Sequence, residues 1–155
     1  MLKPMTITYN INNYKTEDRQ NLYLAELVGY YKKPYYIKTK LEGDKLIGTT
    51  KYLGMYTIVE DSIPPTIKPH NFNDGKWLSK YRYLKVKIED KQSGISNYRA
   101  TLNGKWILME YDYKTDMLIY DFNDAVSTDT KNNLKVIVTD NVGNSSTFEA
   151  TFFRK

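Results

Sequence analysis

The sequence predicts an all-β chain made of tandem small β-sandwich units. Three observations predict it. Apolar and polar residues alternate with a period of two along most of the chain. The aromatic residues are dominated by Tyr, 15 against 5 Phe and 2 Trp, and Tyr suits a half-buried pleated surface. Clusters of Gly, Asn, Asp and Pro punctuate the apolar runs at short intervals. Hydrophobic residues make up 41% of the 155, which supports a folded core rather than disorder.

In the first 60 residues, MTITYNI places Met5, Ile7, Tyr9 and Ile11 on one face. The segments NLYLAELV, PYYIKTKL, KLIGTT and MYTIVE follow as further strands, with Glu42-Gly43-Asp44 turning the hairpin between the third and fourth. KTEDRQ allows a single helical turn. A unit of this size is marginal for an independent core. It reads as a small β unit over 1–61, either a sandwich of its own or part of one.

The boundary is DSIPPTIKP, residues 61–69. Pro64 and Pro65 donate nothing to a ladder and force their predecessors to be extended, so the segment is a stiff linker feeding an edge strand. Beyond it, over 62–155, YLKVKIED sets Leu84, Val86 and Ile88 on one face, and NLKVIVTD does the same with Leu134, Val136 and Val138. TFEATF aligns Phe148, Ala150 and Phe152. Between these lie SNYRATL, KWILMEYD and MLIYDF. LNGK, residues 102–105, carries the Asn-Gly pair of a type I′ hairpin. Seven short strands without a sustained helical period fit a sandwich of immunoglobulin or fibronectin III type.

Composition narrows the function. The absence of Cys excludes disulfides, thiolate metal sites and a cysteine nucleophile, and is compatible with export. The net charge of +5 is spread: 9 basic and 7 acidic residues lie up to Asp61, 14 and 11 after it. A nucleic-acid binder more often concentrates its charge, so a solvated basic surface and no nucleic-acid partner are expected. No run reaches the roughly 18 apolar residues of a membrane helix, so no membrane insertion is expected. The opening MLKPMTITYN lacks a signal-peptide apolar core.

Catalytic residues are sparse. His70 is the single His, too few for a histidine-built zinc site, and it reads as an ordinary surface or half-buried side chain. No GxSxG, P-loop or GxGxxG occurs. A glycosidase needs only two carboxylates. Glu110, Asp112 and Asp121 are on or beside strands, where acids are common on plain sandwiches. The aromatic–basic stretch GYYKKPYYIK contains Tyr30, Tyr31, Tyr35 and Tyr36 beside three Lys. Tyr faces stack on sugars or bases; equally, such rings cover a thin core at a hairpin end, and that second reading is the favoured one. Trp77 and Trp106 are similar, with Trp77 expected to be the more exposed because it follows Asp74-Gly75-Lys76.

Taken together, LGMYTIVEDSIPPTIKP, SGISNYRATLNGKWILMEYD and LKVIVTDNVGNSSTFEATF resemble the region that follows the peptidase domain in certain bacterial lysostaphin/LytM-type peptidoglycan metalloendopeptidases. That family's peptidase domain binds zinc through a His, an Asp and an HxH pair. This sequence has one His and no HxH, so no catalytic residue carries over. The resemblance implies a non-catalytic accessory or spacer module of an exported protein, in the periplasm or at the cell surface, tethered to a peptidase domain in the parent chain. A signal peptide would then precede that domain. The alternative is a module that binds glycan or peptidoglycan through Tyr30, Tyr31, Tyr35, Tyr36 or Trp77, and exposure of those rings discriminates the two.

The stretch VIVTDNVGNSST raises a separate question. Asp140, Asn141, Gly143 and Asn144 are turn makers: Asx side chains bond amides two residues on, and Gly or Asn takes positive φ. An immunoglobulin-like topology also gathers Glu60, Asp61, Asp90, Asp140 and Asn141 at one end, at the junction of the two units, and Ca²⁺ takes such oxygen ligands. Hydrogen-bonded turns are the favoured reading, and no cofactor is expected.

Overall fold

The computed structural model describes residues 3–124 and 129–155. The chain is all-β, and its only helical element among the described residues is a single 3-10 turn, Arg19–Asn21. Two compact units emerge. The first comprises Met1–Ile63 with the loops Lys91–Gly94 and Asp140–Asn144; the second comprises Pro64–Asp90, Ile95–Thr139 and Ser145–Lys155.

The first unit contains β1 (Met5–Asn10), β2 (Leu22–Val28), β3 (Lys33–Ile37), β4 (Thr39–Glu42), β5 (Lys45–Thr50) and β6 (Tyr56–Glu60). They form two three-stranded sheets, β1-β5-β4 and β3-β2-β6. PYYIKTKL, read above as one strand, is two, one in each sheet. The break comes after Ile37, where Thr39 Oγ1 donates to the Ile37 carbonyl at 2.7 Å and accepts the Leu24 amide at 2.9 Å. That hydroxyl supplies Leu24 with the partner a continuous strand would have provided. The sheets meet at Gly48: a Cβ there would lie 2.9 Å from Leu24 Cδ1, so only glycine lets the layers approach this closely. Ile11, Leu22, Leu24 and Leu46 are buried together, with Ile7, Tyr9, Ile37 and Ile58 packed against them. Glu42 faces Lys45 across the β4–β5 hairpin, and Gly43 takes φ +57° in its turn, as the Glu-Gly-Asp reading requires.

The second unit is a two-sheet sandwich of the immunoglobulin/fibronectin III kind. Its strands are β7 (Thr66–Pro69), β8 (Lys76–Trp77), β9 (Tyr83–Glu89), β10 (Ile95–Leu102), β11 (Lys105–Ile107), β12 (Glu110–Asp112), β13 (Met117–Asp121), β14 (Lys131–Asp140) and β15 (Ser145–Phe153). The sheets run β11-β10-β14-β15-β8 and β12-β13-β9-β7. KWILMEYD splits into β11 and β12, which join different sheets. Ile107 and Met109 stay buried while Leu108 is exposed, so the alternation is unbroken although the ladder partner changes from β10 to β13. The Asn-Gly hairpin forms with Asn103 at φ +51° and Gly104 at φ +79°. Leu84, Val86, Ile88, Leu134, Val136, Val138, Ala150 and Phe152 are core, and Phe148 packs against it half-buried. The core also holds an aromatic cluster: the Phe152 ring centroid lies 5.7 Å from that of Phe122 and 6.5 Å from that of Phe72.

Candidate functional site

Of the three acids named above as possible catalysts, Asp112 and Asp121 are engaged in turns. Asp112 accepts the Thr115 hydroxyl at 2.7 Å and the Lys114 amide at 3.0 Å. The Thr115 hydroxyl, more than the Lys114 amide, holds its carboxyl below the usual aspartate range. Asp121 Oδ2 accepts two bonds from the Arg82 guanidinium, at 3.1 and 2.9 Å, and Oδ1 accepts the Asn123 amide. The guanidinium holds this carboxyl low as well. A general acid at neutral pH needs the opposite shift. Glu110 is exposed at the start of β12, and His70 is exposed, with its amide donating to the Lys85 carbonyl.

The turn at 140–144 answers the question raised by its sequence. Asp140 Oδ1 accepts the backbone amides of Val142, Gly143 and Asn144 at 3.0, 2.7 and 2.8 Å, and Oδ2 accepts Asn144 Nδ2 at 2.8 Å. Gly143 takes φ +101°. Asn141 Nδ2 donates to the Ser93 and Gly94 carbonyls, and Asn144 Nδ2 also reaches the Asp61 carbonyl. Asp61, fully buried, accepts the Ile63 amide on Oδ1 and the Ser93 amide on Oδ2. Within the first unit, carboxylate oxygens of Asp61 and Asp140 lie within 4.8 Å of each other. Glu60 stands apart, exposed at the end of β6 opposite Leu22. Of the residues considered for an ion, Asp61 and Asp140 therefore converge within the first unit, and Asn141 turns its amide nitrogen to carbonyls.

The tyrosines behave differently from the favoured sequence reading. Tyr30, Tyr31 and Tyr35 are 92%, 81% and 72% exposed, so they do not cover the core; only Tyr36 is half-buried, packed on Tyr23 with centroids 5.5 Å apart. The cause is local. Gly29 and Lys32 both take positive φ, which turns the β2–β3 hairpin tightly and leaves Tyr30 and Tyr31 at its tip, edge to face. Trp77 is half-exposed and stacks on Phe153. Trp106 is the more exposed of the two, contrary to expectation, because it lies on the edge strand β11 opposite Thr101.

Sequence reasoning missed a cleft in the first unit. Across β3-β2-β6, Leu24 is in register with Ile37 and Ile58, and these three belong to the core. Two residues along, Glu26 is in register with Tyr35 and Tyr56. Here the apolar contacts end and a cleft of about 370 Å³ opens, lined by Glu26, Tyr35, Tyr36, Lys38, Lys51 and Tyr52 among others. The signal was present in LYLAELV: a charged residue on the same strand face as Leu22 and Leu24 marks where that face leaves the core. In the second unit, a depression of about 390 Å³ over β14 and β15 includes Lys135 and Glu149, which pair with each other at 2.8 Å.

Fold and site together define a tandem of β-sandwich units, the second immunoglobulin/fibronectin III-like. No protein-family model and no curated protein matches the chain. Among solved structures it is similar to the fibronectin(III)-like modules of Clostridium thermocellum CbhA, at 10% identity over 99% of this chain and 86% of that one, with a TM-score of 0.46. It is also similar to a point mutant of the SrpA adhesin from Streptococcus sanguinis, at 16% identity over 61% of this chain, with a TM-score of 0.41. The match spans 59% of the SrpA chain. Among the described residues, no helix is long and apolar enough to cross a membrane.

Proposed function

We propose that this chain is a non-catalytic accessory module of an exported cell-envelope protein, with a glycan-contacting surface on its first unit and a spacer in its second. Ring exposure carries this reading. Tyr30, Tyr31, Tyr35 and Tyr52 are all more than two-thirds exposed, and Leu53 and Met55 beside them are also exposed. Clustered apolar exposure of this kind marks an interaction surface, and tyrosine faces suit the apolar faces of sugar rings. The second unit has a continuous apolar core and commits Asp112 and Asp121 to turns and an ion pair, which suits a spacer. The resemblance noted above supplies the setting: a peptidoglycan metallopeptidase domain elsewhere in the parent chain, whose complete reading frame would encode the missing HxH.

Co-sedimentation with purified peptidoglycan sacculi tests the reading. The chain pellets with the sacculi, and the triple variant Tyr30→Ser, Tyr31→Ser, Tyr35→Ser, with an unchanged melting temperature, stays in the supernatant. Wild-type chain left in the supernatant removes the glycan-contacting surface. Release of muropeptides or reducing ends that disappears in Glu110→Gln removes the non-catalytic assignment.

A further inference from the structure

The cleft beside Glu26 has a composition that specifies more than a sugar-stacking patch. We infer that it is a subsite for an acidic glycan, one bearing carboxylates along its length; this rests on the glycan-contacting reading of the first unit. Lys38 and Lys51 line it with Glu26 as the opposing charge. Among the described residues neither lysine has an ion-pair partner, whereas neighbouring Lys40 pairs with Glu42. Residues 28–40, VGYYKKPYYIKTK, add Lys32 and Lys33 without an acid. The cleft therefore holds uncompensated positive charge beside exposed aromatic faces, and complementary charge steers and selects a ligand.

The cleft is also set in advance. The Tyr56 hydroxyl donates to the Tyr52 carbonyl at 2.6 Å, and the Tyr52 amide donates to Thr50 Oγ1 at 3.2 Å, which fixes the Lys51–Tyr52 segment. A Cβ on Gly54 would lie 3.1 Å from Glu26 Oε1, so the glycine leaves the carboxylate room to lie against the backbone. Ordering of this kind lowers the entropy that binding must overcome.

Glu26 separates the polyanions. A nucleic acid or polyol phosphate brings a phosphate at every residue, and some would face the Glu26 carboxylate. A glycan brings hydroxyls, which donate to a carboxylate in charge-assisted hydrogen bonds, while its more widely spaced carboxylates meet Lys38 and Lys51. Lysine is a point charge without the bidentate fork that arginine offers to phosphate, and no Arg lines the cleft.

Calorimetric titration of the full chain with an oligogalacturonate, a neutral chito-oligosaccharide, polyglycerol phosphate and an oligothymidylate tests this. The oligogalacturonate binds about ten-fold more tightly than the neutral glycan, and this preference weakens as salt is raised. Lys38→Ala with Lys51→Ala lowers acidic binding to the neutral level and leaves neutral binding unchanged. Tyr35→Ala, at an exposed position, lowers both with the fold intact. Equal affinity for both glycans, or an unaffected double lysine variant, overturns the acidic subsite while leaving the glycan reading in place. Tightest binding of polyglycerol phosphate or oligothymidylate overturns the carboxylate assignment. No binding of any glycan by folded chain overturns the glycan reading itself.

Discussion

The two units solve the same architectural problem with very different cores. The second buries a continuous cluster that draws on both sheets, with three Phe rings at its centre. The first closes two three-stranded sheets over a cluster of four buried apolar residues, with Tyr23 and Ala25 buried besides, and leaves several tyrosines in solvent. The thick core takes in Phe72, Tyr120, Phe122 and Phe152 as packing, while Trp77, Trp106 and Tyr113 stay exposed around it. Among the described residues the thin one buries Tyr23 and leaves Tyr30, Tyr31, Tyr35 and Tyr52 at its surface. Domain size limits how much apolar surface a small unit can bury, and the first unit turns that limit into a cleft.

Truncation in the thick core has the largest expected effect. Phe152→Ala removes a fully buried ring held among other aromatics and costs about 3–5 kcal/mol. Trp77 and Trp106 both belong to the second unit, so urea denaturation followed by Trp fluorescence reads this loss directly. A loss below about 1 kcal/mol would mean that the cluster repacks around the cavity and that the contrast between the cores is weaker than drawn.

Asp140→Ala comes next. It strands three backbone amides and the Asn144 amide nitrogen, at a cost of about 2 kcal/mol, read by denaturation and by faster amide exchange at residues 142–144. In the first unit, Gly48→Ala drives a Cβ against Leu24 and costs about 1–2 kcal/mol through overpacking. It should also accelerate amide exchange in β2 and β5. A neutral outcome would show that the thin core has slack to yield.

Much of this organisation was legible in the sequence, and the failures share a cause. Period-two alternation located the Leu84, Leu134 and Phe152 faces because it reports which side of a sheet a residue occupies. It does not report which sheet. PYYIKTKL and KWILMEYD therefore looked like single strands although each changes sheets midway, keeping alternation across the break. The Asn103-Gly104 and Gly43 turns were readable because positive φ restricts the residue type. The cleft was not, because it depends on Glu26 and Tyr35 being in register on one sheet while Lys51 and Tyr52 come from beyond β5, a juxtaposition with no local signature. The convergence of Asp61 and Asp140 was legible from topology alone, since a sandwich gathers its loops at one end.

Acidification probes a smaller contribution in the second unit. The Arg82 guanidinium depresses the Asp121 carboxyl in the folded chain. A carboxyl depressed on folding stabilises fully above its unfolded value, near pH 4, and loses that contribution as pH falls through the lower folded value. Melting temperature should therefore fall more steeply below pH 4 in the wild type than in Asp121→Asn, with the two parallel from pH 5 to 7. The exposed, screened position of Arg82 keeps the effect small. Parallel curves throughout would assign the acid sensitivity to other carboxyls.

The smallest expected effect concerns the acid cluster and calcium. The Asp61 and Asp140 carboxylates, within 4.8 Å of each other, repel one another unless positive charge lies nearby, and either a cation or oriented amides can supply it. Amides are abundant here. Asp140 accepts three backbone N–H groups and a side-chain N–H, and both oxygens of Asp61 accept backbone amides. These bonds also fix the turn, so a cation drawing the same oxygens into its shell would have to share or displace them. Thermal unfolding is therefore expected to be unchanged by millimolar Ca²⁺ and by subsequent chelator. A ligand well above its dissociation constant must stabilise the fold that binds it, so a rise with Ca²⁺ that the chelator reverses would show that these carboxylates close on an ion. Asp140→Asn completes the test. It removes a charge and keeps an oxygen for the amides, so its cost should stay well below that of Asp140→Ala; a loss as large as that of alanine would make the charge, rather than the acceptor, the feature that matters.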